Sequence, residues 1–195
     1  YIMTHIALFS SGNGTNAENI AKYFSNHSTI RVSLIVSNRE EAYVHQRAKS
    51  LNIPSYTFSK DEIMQGNKVL ALLCDNKIDY IILAGFLLKI PQLLLDNFPA
   101  KIINIHPALL PKHGGKGMYG DNVHKRVIEA GDTDSGITIH YVNNRYDEGE
   151  IIFQAPCRIF PADTYKEVAQ RVHQLEYQHF PRIIEKIIIE NQKSL

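Results

Sequence analysis

Short apolar runs rich in isoleucine, valine and leucine alternate along the chain with segments in which apolar residues recur at helical spacing. This alternation is typical of a parallel β-sheet covered by helices on both faces, because strands buried on both sides are almost continuously apolar. The pattern therefore predicts an α/β fold. The predicted strands are Thr4–Phe9, Ile30–Val36, Ser55–Phe58, Tyr80–Ala84, Ile102–His106, Thr138–Val142 and Ile151–Ile159.

Two capping boxes indicate where two of the helices begin. The pattern Ser/Thr-x-x-Glu occurs at residues 59–62 and 164–167. In such a box the side chains satisfy the free amides of a first helical turn. The helices that follow are predicted over Asp61–Asn76 and Tyr165–Ile189.

The domain organisation follows from the end of the strand pattern. No strand is predicted after Ile159, and the last predicted helix has an apolar face, so we expect it to pack on the same sheet. A length of 195 residues fits one domain. We therefore predict a single domain over residues 3–189 and a tail over 190–195. Residues 1–2 precede the first methionine and are taken as an expression remnant.

Composition narrows the range of functions. Lysine and arginine number 21 against 20 aspartates and glutamates, so the basic excess typical of a nucleic-acid binder is missing. No apolar stretch reaches the roughly 20 residues that a membrane span needs. The two cysteines, Cys74 and Cys157, lie far apart, as expected of thiols in a reducing compartment. We expect a cytoplasmic protein without nucleic-acid or membrane partners.

The first strand leads into a glycine-rich loop, "FSSGNGTNAENI" over residues 9–20. In α/β proteins the free amides and the dipole at the following helix start favour an anion, and Gly12 and Gly14 let the backbone approach it closely. The loop therefore predicts a site for a negatively charged group. The alternative is a tight turn in which Thr15 or Asn16 caps the helix.

Two known phosphate-binding motifs can be compared with the sequence of this loop. Gly12-x-Gly14-x-x-Ala17 matches the dinucleotide fingerprint, but the acidic residue expected about 20 positions later is missing. Arg39 at that place leaves an NADP site open. No Gly-Lys-Ser/Thr follows, which excludes a Walker loop. A single phosphate monoester fits better than a dinucleotide.

A second informative stretch is "KIINIHPALLP" over residues 101–111. Side chains alternate along a strand, so Asn104 and His106 share one face with Ile102, while the other isoleucines face the opposite side. Pro107 ends the strand and places His106 at the edge of the sheet where α/β proteins bind ligands. The alternative is a capped strand end with a hydrogen-bonded histidine.

An amide and an imidazolium side by side suit a reaction at a carbonyl carbon, because two fixed donors stabilise the oxyanion of a tetrahedral intermediate. An acidic partner would keep the imidazole charged. Asp147 and Glu148 supply candidates in the turn between the last two strands, although Asp-Glu-Gly can also be a turn and nothing more. The long segment 107–122, with four glycines and two prolines, is predicted to be a functional loop.

Taken together, these stretches resemble the phosphoribosylglycinamide formyltransferases, over nearly the whole chain. "NIHPALLP" alone also suits methionyl-tRNA formyltransferases and formyltetrahydrofolate deformylases, and the order of all the stretches is more specific. The resemblance implies a Rossmann-like, mostly parallel seven-stranded sheet. The stretches are "SGNGTN" at 11–16, "LAGFLLKI" at 83–90, "NIHPALLP" at 104–111, "GITIHYVNNRYDEGEII" at 136–152 and "RVHQLEYQHFP" at 171–181.

The family transfers a formyl group from 10-formyltetrahydrofolate, as co-substrate, to glycinamide ribonucleotide in purine synthesis, without a metal. The resemblance implies a small-molecule enzyme that is a monomer or weak homodimer. It implies a catalytic trio of Asn104, His106 and Asp147. The implied phosphate and ribose residues are Gly12, Asn13, Gly14, Thr15, Asn16, His173, Gln174, Leu175 and Glu176. The implied folate residues are Leu87, Leu88, Lys89, Ile90, Asn104, Asn143, Asn144, Arg145, Tyr146 and Asp147.

The chain departs from the family at one point, since the segment 61–66 lacks the arginine that some members place near the folate glutamate tail. Lys60 or Lys68 would have to replace it. Two alternatives stay open, a formyltetrahydrofolate hydrolase and a non-catalytic nucleotide-binding module, whereas a tRNA formyltransferase is disfavoured because the basic excess of an RNA binder is missing. Formyltetrahydrofolate hydrolases usually carry an extra N-terminal domain, tRNA formyltransferases a C-terminal RNA-binding domain, and a non-catalytic nucleotide-binding module would not need an oxyanion site.

Overall fold

Strand β1, Thr4–Phe9, lies in the middle of the sheet because its side chains are apolar on both faces. Ile6 and Leu8 enter one hydrophobic core, and Ala7 and Phe9 enter the other. The computed structural model describes residues 2–193. Its other strands are β2 (Ile30–Ser37), β3 (Ser55–Thr57), β4 (Tyr80–Leu83), β5 (Ile102–His106), β6 (Asp134–Tyr141) and β7 (Ile151–Arg158).

The strands form one seven-stranded sheet in the order β3-β2-β1-β4-β5-β6-β7. The first five strands are parallel, and β6 is antiparallel to both β5 and β7. The predicted α/β fold with a mostly parallel sheet is therefore confirmed. Predicted and observed strand ends differ by at most one residue, except at the start of β6.

Strand β6 begins at Asp134 and not at the predicted Thr138. Ser135 and Gly136 look like loop residues in the sequence, but they pair with Cys157 and Pro156 of β7. Tertiary pairing thus overrides the local preference for a turn.

The helices cover both faces of the sheet, as predicted. They are α1 (Thr15–Phe24), α2 (Val44–Ser50), α3 (Lys60–Gln65), α4 (Asn67–Asp75), α5 (Gln92–Asn97), α6 (Asp121–Glu129) and α7 (Tyr165–Lys193). Helices α1, α2, α6 and α7 pack on the face that carries Ile6, and α3, α4 and α5 pack on the opposite face.

The prediction of one continuous helix over Asp61–Asn76 is wrong. The predicted capping box is present, since Ser59 Oγ accepts from Glu62 N at 3.2 Å and Glu62 Oε2 accepts from Ser59 N at 2.9 Å. The chain then breaks at Gly66, whose φ of 79° is left-handed, so α3 ends there and α4 begins.

Helix α7 packs on the sheet through its apolar face, as expected, and buries Val172, Phe180 and Ile184. It continues to Lys193, so residues 190–193 of the predicted tail are helical. Residues 1, 194 and 195 lie outside the described part of the chain. The second capping box is only half formed, because the Thr164 hydroxyl donates to the Glu167 carboxylate instead of accepting from the backbone.

The start of α1 fixes the glycine-rich loop. Gly14 is the N-cap residue with φ 76°, and it makes no side-chain cap bond, so the alternative in which Thr15 or Asn16 caps the helix is wrong. A Cβ atom at Gly14 would lie 2.6 Å from Val44 Cβ, whereas a Cβ at Gly12 would meet nothing within 4 Å.

We expect Gly14→Ala to lower the free energy of unfolding, because the left-handed backbone alone costs an L-residue about 1–2 kcal/mol and the methyl group would press on Val44. Gly12→Ala is the matched control and should leave the free energy of unfolding nearly unchanged. Urea unfolding of both variants measures the difference. Equal stability of the two variants would contradict this account of the loop.

Candidate active site

A cavity of about 660 Å³ opens at the carboxyl ends of β1, β4 and β5. This is the topological switch point of the sheet, where α/β proteins bind ligands. All the catalytic, phosphate, ribose and folate residues that the resemblance implied line this cavity, except Asn144, Gln174 and Leu175. The fold therefore brings together predicted residues from five separate segments of the chain.

The three exceptions have simple geometric causes. Gln174 and Leu175 follow His173 on α7, and residues one and two positions apart on a helix face different directions. Gln174 borders a shallow outer groove, and Leu175 packs against the core. Asn144 is exposed in the turn between β6 and β7. These three residues are not brought to the cavity.

The glycine-rich loop presents unpaired backbone amides to the cavity. The first intrahelical bond of α1 runs from Glu18 N to Gly14 O at 2.9 Å, so the amides of the preceding turn have no partner within the helix. The loop is held from outside, since Gly12 O accepts from Val44 N at 3.1 Å and Ser11 Oγ donates to Asn38 at 2.5 Å. The loop is therefore a fixed donor set suited to an anion.

Glu18 lies in the first turn of α1, where its negative charge would repel a bound anion. Hydrogen bonds from Lys22 and then Arg47 lower the pKa of Glu18 and offset its charge. Arg47 Nε also donates to the Asn13 carbonyl at 2.7 Å. The guanidinium thus adds positive potential beside the loop.

A polar cluster links α1 to α7 at the neighbouring wall of the cavity. The Glu176 carboxylate is only 4% exposed and accepts from Asn16 Nδ2 and from His173 Nδ1, each at 2.9 Å. The bond to Glu176 raises the pKa of His173, although burial opposes it. Asn16 Oδ1 is buried and, among residues 2–193, has no hydrogen-bond partner. A ligand hydroxyl group can satisfy it.

Asn104 is oriented by His140, which the sequence reasoning missed. The two residues face each other across the antiparallel β5–β6 pair. In the neutral tautomer whose Nδ1 donates to the Tyr141 carbonyl at 2.9 Å, Nε2 accepts from Asn104 Nδ2 at 3.1 Å, and in the protonated ring Nε2 faces Asp147 Oδ1 at 3.7 Å. The second N–H of the Asn104 amide is therefore available to an oxygen atom in the cavity. The stretch "GITIHYV" already indicates that His140 shares a strand face with Thr138. Its contact with Asn104, however, depends on how β5 and β6 are aligned.

His106 is buried and lies beside Asp147, as predicted. His106 Nδ1 is 3.5 Å from Asp147 Oδ2, and His106 Nε2 donates to the His113 carbonyl at 2.8 Å. Asp147 Oδ2 also accepts from Gly115 N at 2.9 Å. The long loop therefore contributes backbone groups to the site, which its composition alone did not specify.

The surroundings of His106 do not favour the charged imidazole that we expected. Burial lowers the pKa of His106, and the nearby Asp147 carboxylate and the His113 carbonyl offset this only in part. The surroundings of the ring therefore favour the neutral imidazole. Burial also favours the protonated form of Asp147, but His140, His106 and the Gly115 amide outweigh burial and hold the pKa of this carboxyl below its ordinary value.

The opposite wall of the cavity is apolar. Leu87, Leu88 and Ile90 line it, and the Leu87 amide donates to Ser11 Oγ at 2.9 Å, which connects this wall to the glycine-rich loop. Lys60 and Lys68 do not reach the cavity, and Lys68 pairs with Glu62 at 2.7 Å. The cations on the cavity wall are instead Arg39, Lys89, Lys116 and Arg145.

No group of three or more His, Cys, Asp or Glu side chains in residues 2–193 is arranged to hold a metal ion. None of the helices in the same range combines the length and apolar character needed to cross a bilayer.

Comparison with known proteins agrees with this geometry. Residues 4–184 match the family described as formyl transferase. A chloroplastic phosphoribosylglycinamide formyltransferase of Arabidopsis thaliana is 38% identical over 96% of this chain, which spans 66% of that relative's length. The enzyme of the same name from Haemophilus influenzae is 36% identical over 93% of this chain and 86% of its own length.

A solved structure has the same fold. The phosphoribosylglycinamide formyltransferase of Streptococcus pneumoniae superposes with a TM-score of 0.85 at 32% identity, over 95% of this chain and 99% of the other. With a family match over nearly the whole domain and a bacterial relative covered over most of its length, the chain belongs to the formyl transferase family and, within it, to the phosphoribosylglycinamide formyltransferases.

Proposed function

We propose that this chain transfers the formyl group of 10-formyltetrahydrofolate to the primary amine of glycinamide ribonucleotide, with Asn104, His106 and Asp147 carrying the chemistry. The observation that carries the proposal is the convergence of these side chains. An oriented amide donor, a neutral imidazole and a carboxylate 3.5 Å from that imidazole face one cavity. A fixed set of anion-binding amides lies on the wall of the same cavity.

The nucleotide end of the substrate fits the polar wall. The amides at Gly14, Thr15 and Asn16 would hold the 5′-phosphate, and Arg47 supplies positive potential behind them. Beside this site, Glu176 and the unpaired Asn16 Oδ1 would accept hydrogen bonds from ribose hydroxyls. Bound in this way, the substrate would direct its amine toward β5.

The folate fits the apolar wall. Leu87, Leu88 and Ile90 would cover the pterin on one side, with Asn143 and Tyr146 on the other. The carboxylates of the glutamate tail would meet Lys89 and Arg145 in place of Lys60 or Lys68. When bound, the folate supplies an electrophilic formyl carbon.

Asn104 would donate its second N–H to the formyl oxygen, which becomes an oxyanion as the amine attacks. Loss of one such donor typically costs about 2.7–4 kcal/mol of transition-state stabilisation. This interaction gains strength as charge develops, and therefore acts on kcat more than on substrate binding.

His106 would move the proton. Its neutral Nδ1 accepts a proton from the attacking amine, and the resulting imidazolium is stabilised by Asp147 at 3.5 Å. The same proton then passes to the leaving nitrogen as the bond from that nitrogen to the formyl carbon breaks. One proton and one formyl group are exchanged, so the reaction balances without a covalent enzyme intermediate.

The cellular location and the oligomeric state of the protein are also part of the proposal. We infer a cytoplasmic location and a monomer or weak homodimer. Both cysteines are free thiols, as expected in a reducing compartment. The Arabidopsis relative is a chloroplastic protein, so the compartment differs within the family.

The direct test is a formyl-transfer assay with purified protein, formyl folate and glycinamide ribonucleotide, together with a reaction that lacks the amine. We expect product formation that depends on the amine. Folate release at the same rate without the amine would favour the hydrolase alternative, and no turnover in either reaction would favour the nucleotide-binding module.

We expect Asn104→Ala to lower kcat by roughly 10²–10³-fold, because the oxyanion loses a fixed donor, while KM changes little. Asn97→Ala removes the same amide from the exposed end of α5 and should leave kcat unchanged. Steady-state kinetics and circular dichroism of both variants give the comparison. A folded Asn104 variant with a near-native rate would remove this residue from the mechanism.

We expect Asp147→Asn to lower the pKa of His106 further, because the carboxylate favours the charged imidazole. The imidazole then becomes a weaker base, so kcat should fall near neutral pH. NMR titration of labelled His106 measures the pKa directly. A pKa that does not move in the variant would end the role of Asp147 as the partner of His106.

A further inference from the structure

We propose that His113 and Asp132, which do not line the cavity, position His106 for catalysis. The contact runs through three groups in series. His106 Nε2 donates to the His113 carbonyl at 2.8 Å, and the His113 ring bonds to Asp132 Oδ2 through its own Nε2 at 2.6 Å. The proposal rests on the formyl transfer described above and adds two positioning residues to it.

The His113 carbonyl determines which ring nitrogen of His106 is free to react. A carbonyl oxygen can only accept, so His106 Nε2 must carry a hydrogen. In the neutral imidazole Nδ1 is then unprotonated and faces Asp147. The proton-accepting nitrogen is therefore the one nearest the carboxylate that stabilises the charged form. Without this acceptor the ring could rotate or exchange tautomers.

The position of that carbonyl depends on the His113 side chain. Residues 107–120 form no helix or strand, so no regular hydrogen bonding fixes the backbone there. His113 also has a φ of 53°, a left-handed conformation that is costly for a residue other than glycine. The bond to Asp132 joins the loop to the corner between α6 and β6, and Lys112 Nζ reaches the same carboxylate at 3.2 Å.

The contact between His113 and Asp132 also fixes the next two residues of the loop, which contact Asp147. Gly115 N donates to Asp147 Oδ2 at 2.9 Å. A Cβ atom at Gly114 would lie 2.6 Å from Leu110 Cδ2 and 3.3 Å from Asp147 Cβ, so the loop packs closely on the carboxylate residue. Residues 113–115 therefore position both partners of the proton transfer, and the His113–Asp132 pair anchors them.

The charged groups around His106 and His113 determine how a pH titration of His106 is interpreted. His106 faces Asp147, His140 and Glu176 as well as the His113 carbonyl. His113 faces Asp132, which Lys112 also contacts. The His113 carbonyl raises the pKa of His106, so displacement of this carbonyl should lower that pKa.

The test uses two variants that break the anchor from opposite sides. His113→Asn removes the ring and keeps a residue that tolerates a left-handed backbone, and Asp132→Ala removes the carboxylate. Asp163→Ala is the matched control, because it removes a carboxylate that pairs with Arg171 at a distance from the site. Each protein, including the double variant, is studied by NMR titration of His106 and by the pH dependence of kcat.

We expect both single variants to lower the pKa of His106 and to move the acid limb of the kcat profile to lower pH. The plateau value of kcat should fall about tenfold with little change in KM. The double variant should resemble either single variant, because both break one series of contacts. The control should keep the native pKa and kcat.

Three results would overturn the proposal. The first is an unchanged His106 pKa in folded variants, and the second is additive losses in the double variant. The third is unfolding of both single variants while the Asp163 control folds, which would make the pair structural. Failure of the proposed function gives a different result, since the wild-type protein would then show no formyl transfer while the titration of His106 could still be measured.

Discussion

The site depends on the antiparallel pairing of β5 with β6. This pairing sets Asn104 opposite His140 and His106 opposite Thr138, so the donor amide and its orienting histidine are fixed by backbone register. Because β6 also pairs with β7, the turn between them returns over the end of β5 and carries Asp147 to His106. A shift of one residue in this register would turn the side chains to the opposite faces of the sheet.

The two ends of the cavity are built on different principles. The end proposed for the nucleotide presents backbone amides at a helix start, which need only the left-handed Gly14 and the absence of a side-chain cap. The end proposed for the reaction uses side chains. Tyr141 O contacts His140, His113 O contacts His106 and Gly115 N contacts Asp147, while Asn104 is held by the His140 side chain. Rigid backbone contacts of this kind keep catalytic groups oriented before the substrate arrives.

Much of this architecture could be predicted from the sequence because it follows from local pattern. Continuous apolar runs gave the strands nearly to the residue, and alternation placed Asn104 and His106 on one face of β5. The glycine-rich loop could be predicted to precede a helix start because loop composition and helix start are neighbours in the chain, and its binding of an anion stays a prediction. The resemblance supplied Asp147, His173 and Glu176, which are distant in sequence from this loop.

What could not be predicted depends on contacts between distant segments. The early start of β6 comes from pairing with β7, and the partner of His140 comes from register. The lowered pKa of His106 is a balance of burial against the Asp147 carboxylate and the His113 carbonyl, and the extent of burial cannot be read from a sequence pattern. The break at Gly66 was not predicted, because apolar residues recur at helical spacing on both sides of this glycine.

The proposed function requires one cavity to hold the nucleotide phosphate on the glycine-rich loop and the reacting amine beside Asn104 and His106. A crystal structure of the protein with glycinamide ribonucleotide and a folate analogue that cannot transfer its formyl group tests it most directly. The account predicts the phosphate on the amides of residues 14–16 and the analogue's carbonyl oxygen about 3 Å from Asn104 Nδ2. A phosphate bound elsewhere, or a carbonyl oxygen directed away from Asn104, would contradict it.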